Sequence, residues 1–119
     1  MNKQGIFNKV KKHLLTQNKR AVGYSAIDNH EFCRYRGDKG MSCAFGILIP
    51  DELYDPAMED KGVAKLVETW PEMKRWLSVS CDSDVDFLHG LQQIHDGTHP
   101  TKWESALKGF AIGAGLYYE

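Results

Sequence analysis

Cysteine is scarce in this chain: three in 119 residues, at Cys33, Cys43 and Cys81. So sparse and odd a set excludes a disulfide scaffold and fits thiols kept reduced in a cytosol. Long apolar runs are missing as well. Nothing approaches the roughly 20 residues that span a bilayer, so no membrane role is expected. The basic start leads into no apolar core segment, which argues against a secretory signal. Neither common glycine-rich phosphate loop is present, and there are no internal repeats or low-complexity tracts. Acidic residues are absent from the first 27 positions, where Lys3, Lys9, Lys11, Lys12, Lys19 and Arg20 all lie. The formal net charge of -1 therefore hides a basic start and an acidic remainder. That asymmetry permits nucleic-acid binding through a basic first helix, but no recognition pattern accompanies it, and a solvated basic face accounts for it better.

What is present is an ordinary globular composition, 42% hydrophobic and 26% charged, of a size for one domain over residues 1–119. Ile6, Phe7, Val10 and Leu14 recur at helical spacing and predict a helix over 3–18. The segment from Gly23 to Asn29 reads as a connection. Glu31 to Arg36 and Met41 to Ile49 flank Gly37-Asp38-Lys39-Gly40, which predicts a β-hairpin over about 31–48. Residues 43–49 alternatively begin a helix, since a short apolar run does not reveal its period. Asp51 to Asp60 reads as short helical turns. Val63, Leu66, Val67 and Trp70 predict a helix closed by Pro71, and that proline opens a second short helix through Met73, Trp76 and Leu77. Ser83-x-x-Asp86 resembles a capping box ahead of Phe87, Leu88, Leu91, Ile94 and His95. Thr101-x-x-Glu104 does the same ahead of Trp103, Leu107, Phe110 and Ala111. The expected fold class is α+β, mostly helical, with about five helices and the one small hairpin.

Candidate chemistry is thin. Cys43 at the start of a helix would gain thiolate character from the helix dipole, and with His95 and Asp96 it makes a drawable Cys-His-Asp nucleophilic site. The competing reading of Cys43 is a small buried hydrophobe. His30, Cys33 and Cys43 surround the predicted hairpin, with Cys81 as a fourth soft ligand for zinc, although no tight Cys-x-x-Cys knuckle is present. Asp82-x-Asp84-x-Asp86 opens like a calcium loop but lacks the glycine and the closing glutamate, and acids at a helix start explain it. His95-Asp96 matches the metal pair of helical phosphohydrolases in two residues only. No cofactor is implied. A protein interface would draw on exposed aromatics and arginine, with Tyr35, Arg36, Tyr54 and Trp76 as the leading candidates.

The stretch Cys33-Arg34-Tyr35-Arg36-Gly37 through Gly40, then Cys43-Ala44-Phe45-Gly46, continues as Leu48-Ile49-Pro50-Asp51-Glu52-Leu53-Tyr54-Asp55-Pro56-Ala57-Met58-Glu59. With the later Phe87-Leu88-x-x-Leu91-Gln92-x-x-His95-Asp96, it resembles a family of small uncharacterised proteins common in tailed-bacteriophage and prophage genomes. The family brings no assigned activity or site residues. The resemblance implies a phage accessory protein in the host cytoplasm, a setting in which small proteins bind a bacterial host or defence protein and modulate or inhibit it. A small thiol enzyme using Cys43, a metal-stabilised fold and a nucleic-acid-binding module are the alternatives.

Overall fold

The computed structural model describes residues 1–25, 30–37 and 40–118; of residues 23–25 and 30–33 only the backbone is described. Helix α1 (Lys3–Gln17) starts where the Asn2 side chain accepts the Gly5 amide at 3.0 Å, and stops at Asn18, which takes a left-handed conformation at φ 54°. It buries Phe7, Val10 and Leu14, the stripe that the spacing marks out. Strands β1 (Val22–Ser25) and β2 (His30–Cys33) then pair antiparallel, with Val22 opposite Cys33 and Ser25 opposite His30.

Helices α2 (Val63–Thr69) and α3 (Pro71–Trp76) follow, separated at Trp70, with Pro71 at the first helical position of α3. Helix α4 (Asp82–Gly97) runs through the centre, and α5 (Trp103–Ala114) ends on Gly115 at φ 71°. Helix α5 packs against both α1 and α4, and α2 packs against α3 and α4. One core joins them, with Trp103, Phe7, Phe45, Leu14, Met58 and Leu66 among its fully buried side chains. Phe110 ties three helices together, stacked on Phe7 at 6.2 Å and tilted against Phe87 at 5.4 Å.

The α+β expectation fails on its defining element, because no hairpin is seen over 31–48 among the described residues, the turn residues Asp38 and Lys39 lying outside them. The chain is mostly helical, and the strand pairing present among the described residues is the four-residue ladder upstream. Within the expected hairpin the pairing shrinks to one bridge, Arg36 with Ser42, flanked by the Gly37 amide on the Met41 carbonyl and the Cys43 amide on the Tyr35 carbonyl. Two contacts then divert the chain. The Phe45 amide bonds the Gln92 Oε1 at 2.8 Å, and Gly46 lies so close to Tyr35 that a Cβ would stand 1.9 Å from its carbonyl oxygen. Residues 46–48 close into a single 3-10 turn (Gly46–Leu48), so the alternative helix from Cys43 is absent too. The connection read over Gly23 to Asn29 is corrected in part, since residues 22–25 supply the strand that β2 pairs with.

Both capping boxes are displaced. Helix α4 begins at Asp82, one residue ahead of Ser83, with Cys81 as a cap whose side chain makes no capping bond. Asp84, rather than Asp86, is the buried acid of that first turn, and it accepts the Ser80 amide at 2.9 Å. Before α5, a 3-10 turn (Pro100–Lys102) intervenes, and the His99 ring accepts the Thr101 amide at 3.2 Å. No described helix is long and apolar enough to cross a membrane.

Candidate functional site

The irregular segment between β2 and α2 is held by one carboxylate. Glu59 follows a 3-10 turn (Pro56–Met58) that Asp55 caps through the Ala57 amide, and its side chain is 11% exposed. Its Oε1 accepts the Tyr35 amide at 2.8 Å and its Oε2 accepts the Arg36 amide at 3.1 Å, while the Tyr54 hydroxyl donates to Oε2. Arg34 Nε stands 3.6 Å from Oε1. A carboxylate that takes two backbone amides organises its loop as a helix terminus would, with the added strength of a charged acceptor. Desolvation, followed by the bond to Glu59, raises the Tyr54 hydroxyl above its ordinary value.

On one side of this segment lies a polar cleft of about 200 Å³, lined by Arg34, Glu59 and Lys61 and, from α4, His89, Gln92 and Asp96. On another side lies a groove of about 510 Å³, open to solvent, lined by Lys9, Arg36, Met41, Ile47, Pro50 and Trp76. Arg36 holds its near edge. It pairs with Asp51 at 2.8 Å, bonds the Ile49 carbonyl at 3.1 Å and sits over the Tyr54 ring at 4.3 Å. Trp76 forms the far edge. Its side of α3 faces solvent at 59% exposure, yet the indole Nε1 donates to the Leu48 carbonyl at 3.2 Å and fixes the ring. Of the four aromatic and arginine candidates, then, Arg36 and Trp76 share the groove, and Tyr54 braces Arg36 from behind. Tyr35 is buried, tilted against Phe45 at 5.6 Å, with its hydroxyl on the Lys61 carbonyl. Burial, then the nearby Cys43, Asp96 and Glu59, raise its hydroxyl well above the ordinary value.

Cys43 is fully buried, and its Sγ accepts the Gly46 amide at 3.2 Å. Desolvation pushes the thiol up to about 12 against the lowering bonds from Gly46 and Gln92, so it is held neutral. Without a helix behind it, no dipole offsets that burial. His95 is fully buried in the same core but is turned elsewhere. Its Nε2 accepts the Ala21 amide at 2.9 Å, its Nδ1 meets Asp96 Oδ1 at 2.7 Å, and its ring stacks on Trp103 at 5.5 Å. The amide contact leaves Nε2 as acceptor, which puts the ring proton on Nδ1 facing Asp96. His95 and Asp96 are thus brought together, but as a joint between α4 and the segment entering β1, which Arg20 reinforces by bonding the His95 and Thr98 carbonyls.

The zinc candidates do not converge among the described residues. Cys81 is exposed at the start of α4 beside Ser83, Cys43 lies in the core, and the side chains of His30 and Cys33 lie outside the described residues. No described group of three His, Cys, Asp or Glu is arranged to hold a metal. Sequence reasoning missed Glu59, Arg34 and Gln92. Gln92 joins the two halves of the site, its Oε1 on the Phe45 amide and its Nε2 on Asp96 Oδ1 at 3.0 Å. The signal available for it was a glutamine on the apolar face of α4, between Leu91 and Ile94. Comparison of the chain with protein-family models, with curated proteins and with solved structures finds no match.

Proposed function

We propose that the chain is a small accessory module of phage type that acts by binding a bacterial host or defence protein, with the groove between Arg36 and Trp76 as its contact surface. The observation that carries the reading is the state of Trp76: a large aromatic side chain exposed to solvent while its polar atom is already bonded within the fold. Such a ring loses little conformational freedom on binding, and tryptophan with arginine beside it is the composition of interface hot spots. Met41, Ile47 and Pro50 supply an adaptable apolar floor between them. The thiol-enzyme reading is the weaker one, because a neutral, buried Cys43 is no nucleophile.

A tagged copy retains one bacterial protein at near-equal stoichiometry in moderate salt, and Trp76→Ala releases that protein while the free chain stays folded, its melting temperature lowered by only a few degrees for the lost Leu48 bond. Retention that is unchanged in Trp76→Ala and in Arg36→Ala removes the groove from the proposal. Retention of nucleic acid alone, lost steeply as salt rises, replaces protein binding by the basic-helix alternative.

A further inference from the structure

The groove does not end at Trp76. A second hollow of about 400 Å³ adjoins it, lined by Asn2, Gly5 and Ile6 of α1 together with Leu77 and Ser78. Lys9, Leu48 and Trp76 border both hollows, so the indole, fixed by its bond to the Leu48 carbonyl, is a wall they share. Each has apolar lining and room for a large side chain: Met41, Ile47 and Pro50 in the first, Ile6 and Leu77 in the second. The charge around them is one-sided. Lys9 is exposed and makes no hydrogen bond or ion pair among the described residues, and Lys12, one turn along the same face of α1, is in the same state. No acid lies in the first 27 positions to balance them. Asp51 is the acid that lines the first hollow, and it is engaged with Arg36 at 2.8 Å with its side chain 93% exposed. So open a pair holds its geometry weakly, and a carboxylate arriving from outside can join it.

Charge complementarity selects partners and steers their approach. We infer that the segment filling this groove is acidic: a peptide stretch of the partner protein that sets one apolar side chain in each hollow and a carboxylate against Lys9 and Lys12. The inference rests on the groove reading above and adds the chemistry of what the groove receives. Nucleic acid fits it less well. Two uncompensated lysines are few beside the roughly six to ten phosphate contacts of a salt-sensitive complex. Apolar hollows give a phosphate nothing to bind, and Asp51 repels it.

The test is selection of a random linear peptide library, displayed on ribosomes, against the intact chain, with Trp76→Ala as the counter-selection. Enriched peptides carry net negative charge and at least two large apolar residues. In fluorescence anisotropy the best of them loses about thirtyfold or more in affinity for Trp76→Ala, the effect of removing a hot-spot residue. It loses about three- to tenfold for Lys9→Glu at low ionic strength, and less as salt rises. Lys9→Glu stays folded, because Lys9 has no partner within the fold to lose. Converting the peptide's acids to amides weakens binding to the parent chain but not to Lys9→Glu, which ties the two charges to each other. The inference is overturned if no peptide is enriched, if the enriched ones are neutral or basic, or if Lys9→Glu binds them equally well. Tighter binding of a poly-dT oligonucleotide than of any selected peptide overturns it too. A bacterial protein that Trp76→Ala releases and Lys9→Glu retains in full leaves the groove reading standing and removes this one.

Discussion

At the residue scale, the two described cysteines are separated by solvent access. Cys43 is sealed in the core with its thiol raised to about 12, whereas Cys81 is exposed and lowered from its ordinary value by the Ser83 hydroxyl and the Asp84 amide. Thiolate is the reacting form. Iodoacetamide at neutral pH therefore alkylates Cys81 first, and Cys43 only after denaturant is added, as peptide mass spectrometry will read out. Glu59 is the other decisive residue. Glu59→Gln leaves Arg34 without its counter-ion and weakens the hold on two backbone amides. It costs about 2–3 kcal/mol, the loss expected when one partner of a largely buried pair is removed, measurable as a lowered urea midpoint. Gly46→Ala costs more, because the added Cβ meets the Tyr35 backbone rather than a side chain that can swing aside.

At the scale of elements, α4 is the member that the others read. Its first turn holds Asp84, whose carboxylate the Ser80 amide, then the Ser80 hydroxyl and Lys3, keep below the ordinary aspartate value of 3.8. A carboxyl whose folded value is depressed adds stability that is fully present above its unfolded value and lost as pH falls toward the folded one. Denaturation followed by circular dichroism accordingly shows stability declining below pH 3.8. Asp84→Asn is less stable at neutral pH and shows a shallower decline in acid. Its last turn holds His95 and Asp96, which fasten β1 to the bundle through the Ala21 amide. Its middle holds Gln92, which reaches across to the Phe45 amide. One helix thus fixes the start of the strand pair, the loop that replaces the expected hairpin, and one wall of the polar cleft.

At the scale of the molecule, the helices build one core and the irregular segment between β2 and α2 builds both concave surfaces. Stability and binding are consequently separable. Phe7→Ala, which empties a fully buried site stacked on Phe110, costs about 3–5 kcal/mol and lowers the melting temperature sharply. Trp76→Ala removes a largely exposed ring and its bond to the Leu48 carbonyl, costs about 1 kcal/mol and lowers that temperature by only a few degrees. A scanning calorimetry pair distinguishes the two.

The five helices were legible because each carries its own signal: apolar residues at three- and four-residue spacing, with Pro71 at one first turn; that Gly115 ends the last helix was not among those readings. The site was not, because its bonds are long in sequence. Glu59 meets Tyr35 across 24 positions, Gln92 meets Phe45 across 47, and His95 meets Ala21 across 74. The hairpin over 31–48 fails for the same reason. Its turn residues are sound local evidence, and the chain does bridge there once, but β2 finds a better partner upstream and Gln92 captures the next amide. Burial decided the rest: it made Cys43 a neutral core thiol and left Trp76, the last residue of α3, as the exposed anchor. Periodicity and breakers are properties of neighbouring residues and so are written in the sequence. Which distant carboxylate or amide satisfies an irregular loop is settled only when the helices have packed and the remaining polar groups must find partners.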